Sequence, residues 1–543
     1  MPGSLARPAA LAGLGLSVVL AACSGGAAST AAAPEAPLFA DDTAASGVRH
    51  TYDGDFEFFV GGGVAVFDCD DDGFADLYLA GGSGPAALFR NRSDVGGPLR
   101  FDAVPSEVTD VERVTGAYPL DLDSDGRVDL AVLRNEGDRV LRGTGDCAFE
   151  DATDTLGLDP GDGWSTAFAA TWEGDARLPT LAYGRYLLPG RPGERECADS
   201  VLARPSGDTY GEPLALSPGY CALSMLFSDW SRSGRPDLRV TNDRHYYTDG
   251  SEQLWRVDAG AAPRLYTEAD GWRPLQIWGM GIASLDLTGD GHPEVFLSSQ
   301  GDNKLQTLAA GPSQPTYRDM ALRAGVTAQR PYTGGDPLPS TAWHAEFADV
   351  NNDGWPDLFV SKGNVEAQPD HATSDPSNLL LGQPDGTFVE VGEAAGIARF
   401  EPSRGAALAD LNLDGLLDLV VVHRKTDATL WRNVGTGDAA EAEPMGNWAA
   451  VRLRQPAPNV DAVGAWLEVR AGGRTTTREV TVGGGHAGGQ LGWLHLGLGD
   501  AERVEVRVQW PDGEVGPWLP VEAGQLVTVE RGAAEPRPFP GEG

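Results

Sequence analysis

The sequence predicts an all-β protein, a seven-bladed β-propeller followed by a small β-sandwich-like C-terminal domain. Three observations predict this fold. One acidic pattern recurs along the chain, short strand-like runs follow each copy, and the segment after the last copy alternates between apolar and polar residues. Four short strands in a unit of about 50–60 residues are typical of a propeller blade. Seven such units would close a ring and leave no long exposed strand edge.

Residues 1–22 are predicted to be a lipoprotein signal peptide. Arg7 supplies a positive charge, and the apolar core that follows is too short to span a bilayer as a mature helix. The run LAAC, ending at Cys23, resembles a bacterial lipobox, which implies cleavage before Cys23 and lipidation of its thiol. Ordinary cleavage nearby with free release is the alternative. Residues 23–37, rich in Ser, Gly, Ala and Pro, are predicted to be a flexible tether.

The propeller is predicted to cover residues 38–440. Five full copies of the acidic pattern begin at residues 68, 121, 286, 349 and 410, and two weaker copies begin at residues 171 and 229. The spacings are 53, 50, 58, 57, 63 and 61 residues. Small apolar runs precede the copies and runs such as DLFV follow them, so each copy is predicted to join two strands.

The clearest copy, DVNNDGWPD at residues 349–357, has oxygen-bearing side chains at positions 1, 3, 5 and 9. Such ligands suit Ca²⁺, and Gly354 allows a sharp turn at position 6. Unlike an EF-hand, the unit has strand-like flanks and Val360 at position 12. One copy alone is also explained as an acidic surface turn, but five copies predict about five Ca²⁺ sites. The predicted ligands are Asp68, Asp70, Asp72, Asp76, Asp121, Asp123, Asp125, Asp129, Asp286, Thr288, Asp290, Glu294, Asp349, Asn351, Asp353, Asp357, Asp410, Asn412, Asp414 and Asp418.

The two weaker copies depart from the metal pattern. The copy at Thr171 keeps only Glu173 and Asp175 of the acidic positions, and we expect no Ca²⁺ there. The copy at Asp229 keeps Asp237 but has serine at positions 3 and 5, and we expect weak or no binding.

Four cysteines remain after Cys23, and an even number outside the cytoplasm suggests disulfides. Three pairings are possible. We favour Cys197–Cys221, which would close an insertion, and this leaves Cys69–Cys147. Free thiols are the alternative.

The C-terminal part, residues 446–533, contains alternating runs such as WLEVRA and RVEVRVQW, which predict strands of a small sandwich. Residues 534–543 are predicted to be a disordered tail. A glycine-rich run, GGGHAGG at residues 483–489, lacks the strand-to-helix setting of a phosphate-binding loop, and His486 within it is interpreted as a turn residue.

The repeats resemble the FG-GAP/VCBS repeats of integrin α-subunit propellers. The C-terminal part, with its motifs LGLG at residues 496–499 and WPDG at residues 510–513, resembles the ASPIC/UnbV domain. This arrangement is similar to that of bacterial proteins related to cartilage acidic protein. The resemblance implies that the ligand face lies opposite the calcium loops.

Candidate ligand-face residues come from two kinds of segment, the loops after the second strands and the entries to the first strands. Aromatic rings beside polar groups suit a sugar, although the same residues would also suit a plugged channel or packing on a neighbouring blade. The candidates are Trp164, Trp278, Trp343, His344, Arg404, Asn242, Tyr246 and Tyr247.

The formal net charge of −38 argues against nucleic acid as a partner, because its binders need a basic face. No GxSxG, HExxH, P-loop or Rossmann motif occurs in its required context, so no catalytic residue is predicted. We expect a non-enzymatic binding protein, lipid-anchored outside the cytoplasm at a bacterial envelope and recognising a glycan or a protein. The alternatives are a polysaccharide-active enzyme with its site at the channel mouth and a structural role in the envelope.

Overall fold

The computed structural model describes residues 35–158, 161, 163–188, 196–243, 249–366 and 368–539. The predicted signal peptide, Cys23, Tyr246 and Tyr247 lie outside these residues. Within them, no helix is both long and apolar enough to cross a membrane. The helices there are one α-turn, Ala321–Ala324, and two 3-10 turns, Phe56–Phe58 and Glu268–Asp270.

Thirty strands cover residues 38–435, numbered along the chain. They are β1 (Leu38–Asp41), β2 (Val64–Phe67), β3 (Asp76–Leu79), β4 (Ala87–Asn91), β5 (Phe101–Ala103), β6 (Val114–Leu120), β7 (Asp129–Arg134), β8 (Arg139–Gly145), β9 (Ala148–Asp151), β10 (Ser165–Thr171), β11 (Thr180–Arg185), β12 (Ser200–Ala203), β13 (Pro205–Ser206), β14 (Thr209–Tyr210), β15 (Leu214–Leu216), β16 (Ala222–Ser228), β17 (Asp237–Asn242), β18 (Gln253–Arg256), β19 (Arg264–Leu265), β20 (Gly279–Leu285), β21 (Glu294–Ser299), β22 (Lys304–Leu308), β23 (Tyr317–Asp319), β24 (Ala342–Ala348), β25 (Asp357–Lys362), β26 (Asn378–Gly382), β27 (Phe388–Glu390), β28 (Ser403–Ala409), β29 (Asp418–His423) and β30 (Thr429–Gly435).

These strands form seven four-stranded antiparallel sheets among the described residues, with β13 and β14 as a separate hairpin. The first strand of each sheet contacts the first strand of the next, and β28 contacts β2, so the sheets close into a ring. The last sheet takes β1 from the start of the chain as its outer strand, beside β30. The all-β, propeller-like fold is therefore confirmed, and the number of blades stays a prediction.

Apolar residues fill the space between neighbouring sheets. Phe67, Tyr78, Phe168, Phe296 and Phe359 are among the largest fully buried side chains. Burying such a ring stabilises the fold by roughly 1.5–3 kcal/mol. The first strands are buried along their length in six of the seven sheets, apart from partly buried residues at their ends, and they line the centre of the ring.

The C-terminal domain has eight strands, which form two four-stranded sheets, β34-β31-β37-β38 and β33-β32-β35-β36. They share one apolar core that includes Leu467, Val506 and Val527, so the predicted small sandwich is confirmed. The strands are β31 (Asn447–Arg454), β32 (Trp466–Ala471), β33 (Arg474–Glu479), β34 (Leu494–Gly499), β35 (Arg503–Gln509), β36 (Leu519–Glu522), β37 (Gln525–Glu530) and β38 (Arg537–Phe539).

The prediction of a disordered tail from residue 534 is wrong for its described part. Residues 537–539 form β38 and pair with residues 526–528 of β37. The Phe539 ring holds the strand in place, because it packs edge-on against Trp493 with the ring centroids 5.4 Å apart.

Both predicted disulfides are confirmed. Cys197–Cys221 ties the segment before β12 to the start of β16. Cys69–Cys147 joins the first acidic loop to the turn between β8 and β9 of the next sheet. An oxidising compartment is where such bonds persist.

Candidate functional site: the acidic loops and the filled channel

The five full acidic loops share one backbone geometry. The carboxylate at position 1 accepts a hydrogen bond from the glycine N–H at position 6, at 2.8 to 3.0 Å. All five glycines have φ between 84° and 90°, a left-handed conformation that side chains disfavour. The glycine therefore allows the chain to curl around its own first carboxylate. The five are Gly73, Gly126, Gly291, Gly354 and Gly415.

In the five full copies, the acid at position 9 is the first residue of the second strand of its sheet. One of its oxygens accepts the N–H of position 2, at 2.8 to 3.0 Å. The other accepts a hydrogen bond from the third strand, for example from Asn91 to Asp76 at 2.7 Å and from Gly143 to Asp129 at 2.8 Å. Position 9 thus joins the loop to two strands of its sheet.

Carboxylate oxygens converge in the first two loops. One oxygen from each of Asp68, Asp70 and Asp76 can lie within 4.8 Å of the others, and the equivalent trio in the second loop is Asp121, Asp123 and Asp129. Burial, with a smaller effect of the neighbouring carboxylates, raises the pKa of Asp76 and Asp129 to about 8. A bound cation would reverse this effect by favouring the ionised form. These clusters are therefore able to hold a metal ion.

Three buried oxygens are consistent with an ion in these loops. Oδ1 of Asp68, Oδ1 of Asp70 and Oδ1 of Asn412 are buried without a hydrogen-bond partner among the described residues. In the first loop the Arg90 guanidinium pairs with Asp70, and in the second Arg142 lies 3.6 Å from Asp123. Arginine thus supplies part of the positive charge that these loops need.

Protein groups donate hydrogen bonds to the acids of the two weaker copies. Glu173 accepts hydrogen bonds from Arg204 at 2.7 Å and from Thr180 at 2.9 Å. Asp237 accepts them from the Trp230 indole at 2.9 Å and the Tyr266 hydroxyl at 2.8 Å. The absence of Ca²⁺ at residue 171 and weak or no binding at residue 229 stay predictions.

The C-terminal domain rests on the loop face of the propeller. Thr477 donates a hydrogen bond to Asp286, position 1 of its loop, at 2.9 Å. Arg474 donates to the carbonyl of Gly354 at 3.1 Å, and its guanidinium lies 4.0 Å from the Trp355 ring centroid. Further contacts involve Asn459 with Ser124, Trp493 with Gly73, and His495 with Asn352.

A loop of the C-terminal domain, residues 482–490, enters the ring; we call it the channel loop. It forms β-bridges with the first strands of five sheets, at Val66, Ala117, Ala170, Leu226 and Ile282. Small residues in the first strands, and just before them, make room for it. A Cβ at Gly63, for example, would lie 1.7 Å from the carbonyl oxygen of Ala487.

The largest buried side chain of the channel loop is that of His486. Its Nε2 accepts the N–H of Gly61 at 3.2 Å, and its ring centroid lies 5.1 Å from that of Trp343. Burial lowers the pKa of His486 to about 3, so the ring is neutral at pH 7. The sequence showed the glycine run, but not that a domain more than 300 residues after Gly63 inserts it into the ring.

The predicted ligand-face role is wrong for Trp343, His344 and Arg404, which are all buried. The Trp343 ring lies between His486 and the Arg404 guanidinium, which is 4.1 Å from its centroid. Arg404 donates to backbone carbonyls, including those of Phe59 at 2.9 Å and Val365 at 2.7 Å. These side chains close the channel and have no face free for a sugar.

Three further candidates that the structure describes, Trp164, Trp278 and Asn242, lie at the same end of the ring. Trp164 is buried and packs on Tyr186, with centroids 4.8 Å apart, and Trp278 is half-buried in the same apolar cluster. Asn242 is buried and donates to the carbonyl of Ser251 at 2.9 Å, so its predicted ligand role is also wrong.

We predict that Glu479→Gln weakens the pH dependence of stability. Glu479 accepts hydrogen bonds from the N–H of Asp229 at 2.8 Å and from Ser228 at 2.6 Å, while burial raises its pKa to about 8. The folded state therefore holds more protons than the unfolded state between about pH 4.5 and pH 8, and stability falls as the pH rises through that window.

From pH 5 to pH 8, the variant should gain more than about 1 kcal/mol of unfolding free energy relative to wild type. Urea unfolding across this range measures the difference. Exposed Glu502→Gln is the control. Parallel curves for Glu479→Gln and wild type would contradict the prediction.

Two family models match the chain. The model described as ASPIC and UnbV matches residues 455–536, and the model described as FG-GAP-like repeat matches residues 68–132 and 286–360. Among curated proteins, none matches the chain significantly.

Solved structures with similar folds include a lectin from Agrocybe aegerita that recognises non-reducing terminal N-acetylglucosamine. It shares 16% identity and covers 69% of this chain and 92% of its own, with a TM-score of 0.39. BBS1N, solved in complex with ARL6DN, shares 11% identity. The match covers 75% of this chain and 100% of BBS1N, with a TM-score of 0.42. The extracellular domain of a putative hybrid two-component system from B. thetaiotaomicron shares 7% identity. The match covers 91% of this chain and 58% of that chain, with a TM-score of 0.38.

Proposed function

From a chain that contains FG-GAP-like repeats and a C-terminal ASPIC/UnbV domain, we propose a calcium-stabilised, lipid-anchored binding protein outside the cytoplasm. This domain combination suggests an extracellular protein of the binding or adhesion type, and the two disulfides agree with that location. The proposed ligand is a glycan or a protein, the membrane is reached through Cys23, and nucleic acid is not a partner.

One face of the propeller stays free, and this observation supports the proposal most directly. The C-terminal domain covers the acidic-loop face, and the channel loop occupies the centre of the ring. An apolar cluster that includes Val60, Trp164 and Trp343 closes the channel at the other end. The loops around that end, such as residues 363–377, remain for a ligand, and loops on a rigid scaffold commonly carry binding.

Calcium is proposed as a structural ion at about five loops. Each loop offers oxygen ligands alone, and its position 9 is hydrogen-bonded to two strands of its sheet. An ion there would stiffen the corner between strands and hold the surface on which the C-terminal domain rests. No step of catalysis is assigned to it.

An enzyme with its site at the channel mouth is not part of the proposal. That alternative needs Trp343 and its neighbours to be open to a polysaccharide. They are buried instead, and the two histidines beside them, His344 and His486, are buried as well. A carboxylate that holds Ca²⁺ is in any case a poor general acid, since the cation keeps it ionised.

Binding of the purified protein to a glycan array, with Ca²⁺ and with EDTA, tests the proposed ligand. We expect binding that depends on Ca²⁺, because the ions would stabilise the scaffold of the free face. Charge reversal of exposed Asp370 in the loop 363–377 should weaken binding at least tenfold, and reversal of exposed Asp500 on the C-terminal domain should leave it unchanged. The opposite result for these two variants would overturn the assignment of the free face. If no glycan on the array bound in either condition, a glycan would be excluded as the ligand and a protein would remain.

A further inference from the structure

A cavity of about 500 Å³ lies between the C-terminal domain and the inner strands of the propeller. Its apolar wall includes Ile282, Phe347 and Leu408 from the propeller and Leu467 and Leu494 from the C-terminal domain. Small-molecule sites in proteins typically measure roughly 300–1,000 Å³ and combine apolar walls with a few polar groups. This cavity is distinct from the free propeller face proposed above.

One cation on the cavity wall stands out. The side chain of Arg478 in β33 lines the cavity and has no hydrogen-bond or ion-pair partner among the described residues. Its neighbours in the strand, Thr477 and Glu479, both hydrogen-bond to the propeller. Burial lowers the pKa of Arg478, yet a guanidinium keeps its proton at neutral pH. The Arg478 side chain is half-buried on the cavity wall, and its charge has no partner there, so this position indicates an anion that pairs with it when bound.

The nearest acid does not fill this role. Glu346 also lines the cavity, and its charge favours the protonated form of Arg478, but the two groups form no ion pair. Each of its oxygens already accepts a hydrogen bond from another group. Gln490 of the channel loop donates to Oε1 at 2.7 Å, and the N–H of Leu408 donates to Oε2 at 3.1 Å. Glu346 therefore fixes the channel loop, and Arg478 stays available.

We propose that this cavity binds a small amphiphile, an apolar molecule with one carboxylate that pairs with Arg478. The guanidinium offers a planar pair of donors that matches a carboxylate, and the apolar wall would bury the rest of the ligand. β33 is the edge strand of its sheet, and Arg478 lies on the cavity wall between the two domains, so a bound ligand would contact both. Binding would therefore also hold the C-terminal domain on the propeller.

The test uses the fluorescent probe 8-anilinonaphthalene-1-sulfonate with the purified protein in Ca²⁺, followed by displacement with dodecanoate or with dodecanol, its neutral counterpart. We expect saturable binding of one probe per chain, displaced by dodecanoate and at least tenfold less effectively by dodecanol. Arg478→Gln should weaken dodecanoate binding at least tenfold, and Arg478→Lys should retain most of it. Exposed Arg503→Gln on the same domain is the matched control and should bind as wild type does.

Three results would overturn the proposal: no saturable probe binding, equal displacement by dodecanol and dodecanoate, or an Arg478→Gln variant that binds dodecanoate as wild type does. Thr476→Trp, which fills the cavity from the same strand and keeps Arg478, is the second variant in case Arg478→Gln does not fold. It should block dodecanoate binding, and unchanged binding in a folded Thr476→Trp protein would equally contradict the site.

Discussion

Calcium should raise the free energy of unfolding of this protein more than any single substitution changes it. A ligand that binds only the folded state at 100 times its dissociation constant stabilises by about 2.7 kcal/mol for each site. Five independent sites would together contribute on the order of 13 kcal/mol. Thermal or urea unfolding in Ca²⁺ and in EDTA measures this difference directly.

Asp353→Ala isolates one loop. In Ca²⁺ the variant should lose about 2.7 kcal/mol, because position 5 of the pattern no longer supplies a ligand. In EDTA the loss should stay below about 1 kcal/mol, since Asp353 then contributes only its hydrogen bonds from Trp355 and Asn351.

Asp175→Ala is the matched control for this loop. It removes the acid at the same pattern position of the copy at residue 171, where Arg204 already pairs with Glu173, so Ca²⁺ should not change its effect. Equal losses for Asp353→Ala in Ca²⁺ and EDTA would show that its carboxylate serves only the turn.

Gly488→Ala should expel the channel loop from the ring. A Cβ at this position would lie 2.2 Å from the carbonyl oxygen of Val64, which belongs to the wall of the channel and has little room to move. Overpacking of this kind costs about 3 kcal/mol, and here it would also disturb the bridges that join the loop to Val66 and Ala117. We expect a lower melting temperature and protease cleavage within residues 482–490, both measured against wild type.

Gly84→Ala provides the control for Gly488→Ala. The nearest atom to a Cβ at Gly84 is the carbonyl oxygen of Gly81, at 3.7 Å, so the methyl group fits without a clash. If Gly488→Ala had the same melting temperature and the same resistance to protease as Gly84→Ala, the channel loop would not occupy the ring.

The acidic loops could be predicted from the sequence because their geometry is local. Positions 1, 6 and 9 lie within one turn, and the carboxylate of Asp349 binds the N–H of Gly354 five residues later. The repeat of that turn then indicated the ring of sheets. The pairing Cys197–Cys221 was predictable for a similar reason, since 24 residues separate the two.

The filled channel could not be predicted, because it depends on contacts between distant residues. Trp343 is buried by Arg404 and by His486, and His486 lies 143 positions later in the chain than Trp343. The pattern placed Trp343 at a strand entry, where an open mouth and a plug are equally consistent with an aromatic ring. The strand at residues 537–539 was missed likewise, since the contact between Phe539 and Trp493 is tertiary.

The most direct measurement of the central claim is the number of calcium ions bound to each chain. The purified protein would be equilibrated with Ca²⁺, dialysed to a known free concentration and analysed for metal by mass spectrometry. We expect about five ions per chain, one fewer in Asp353→Ala and an unchanged number in Asp175→Ala. A count of zero or one, or the same count in both variants, would contradict the assignment of the acidic loops as calcium sites.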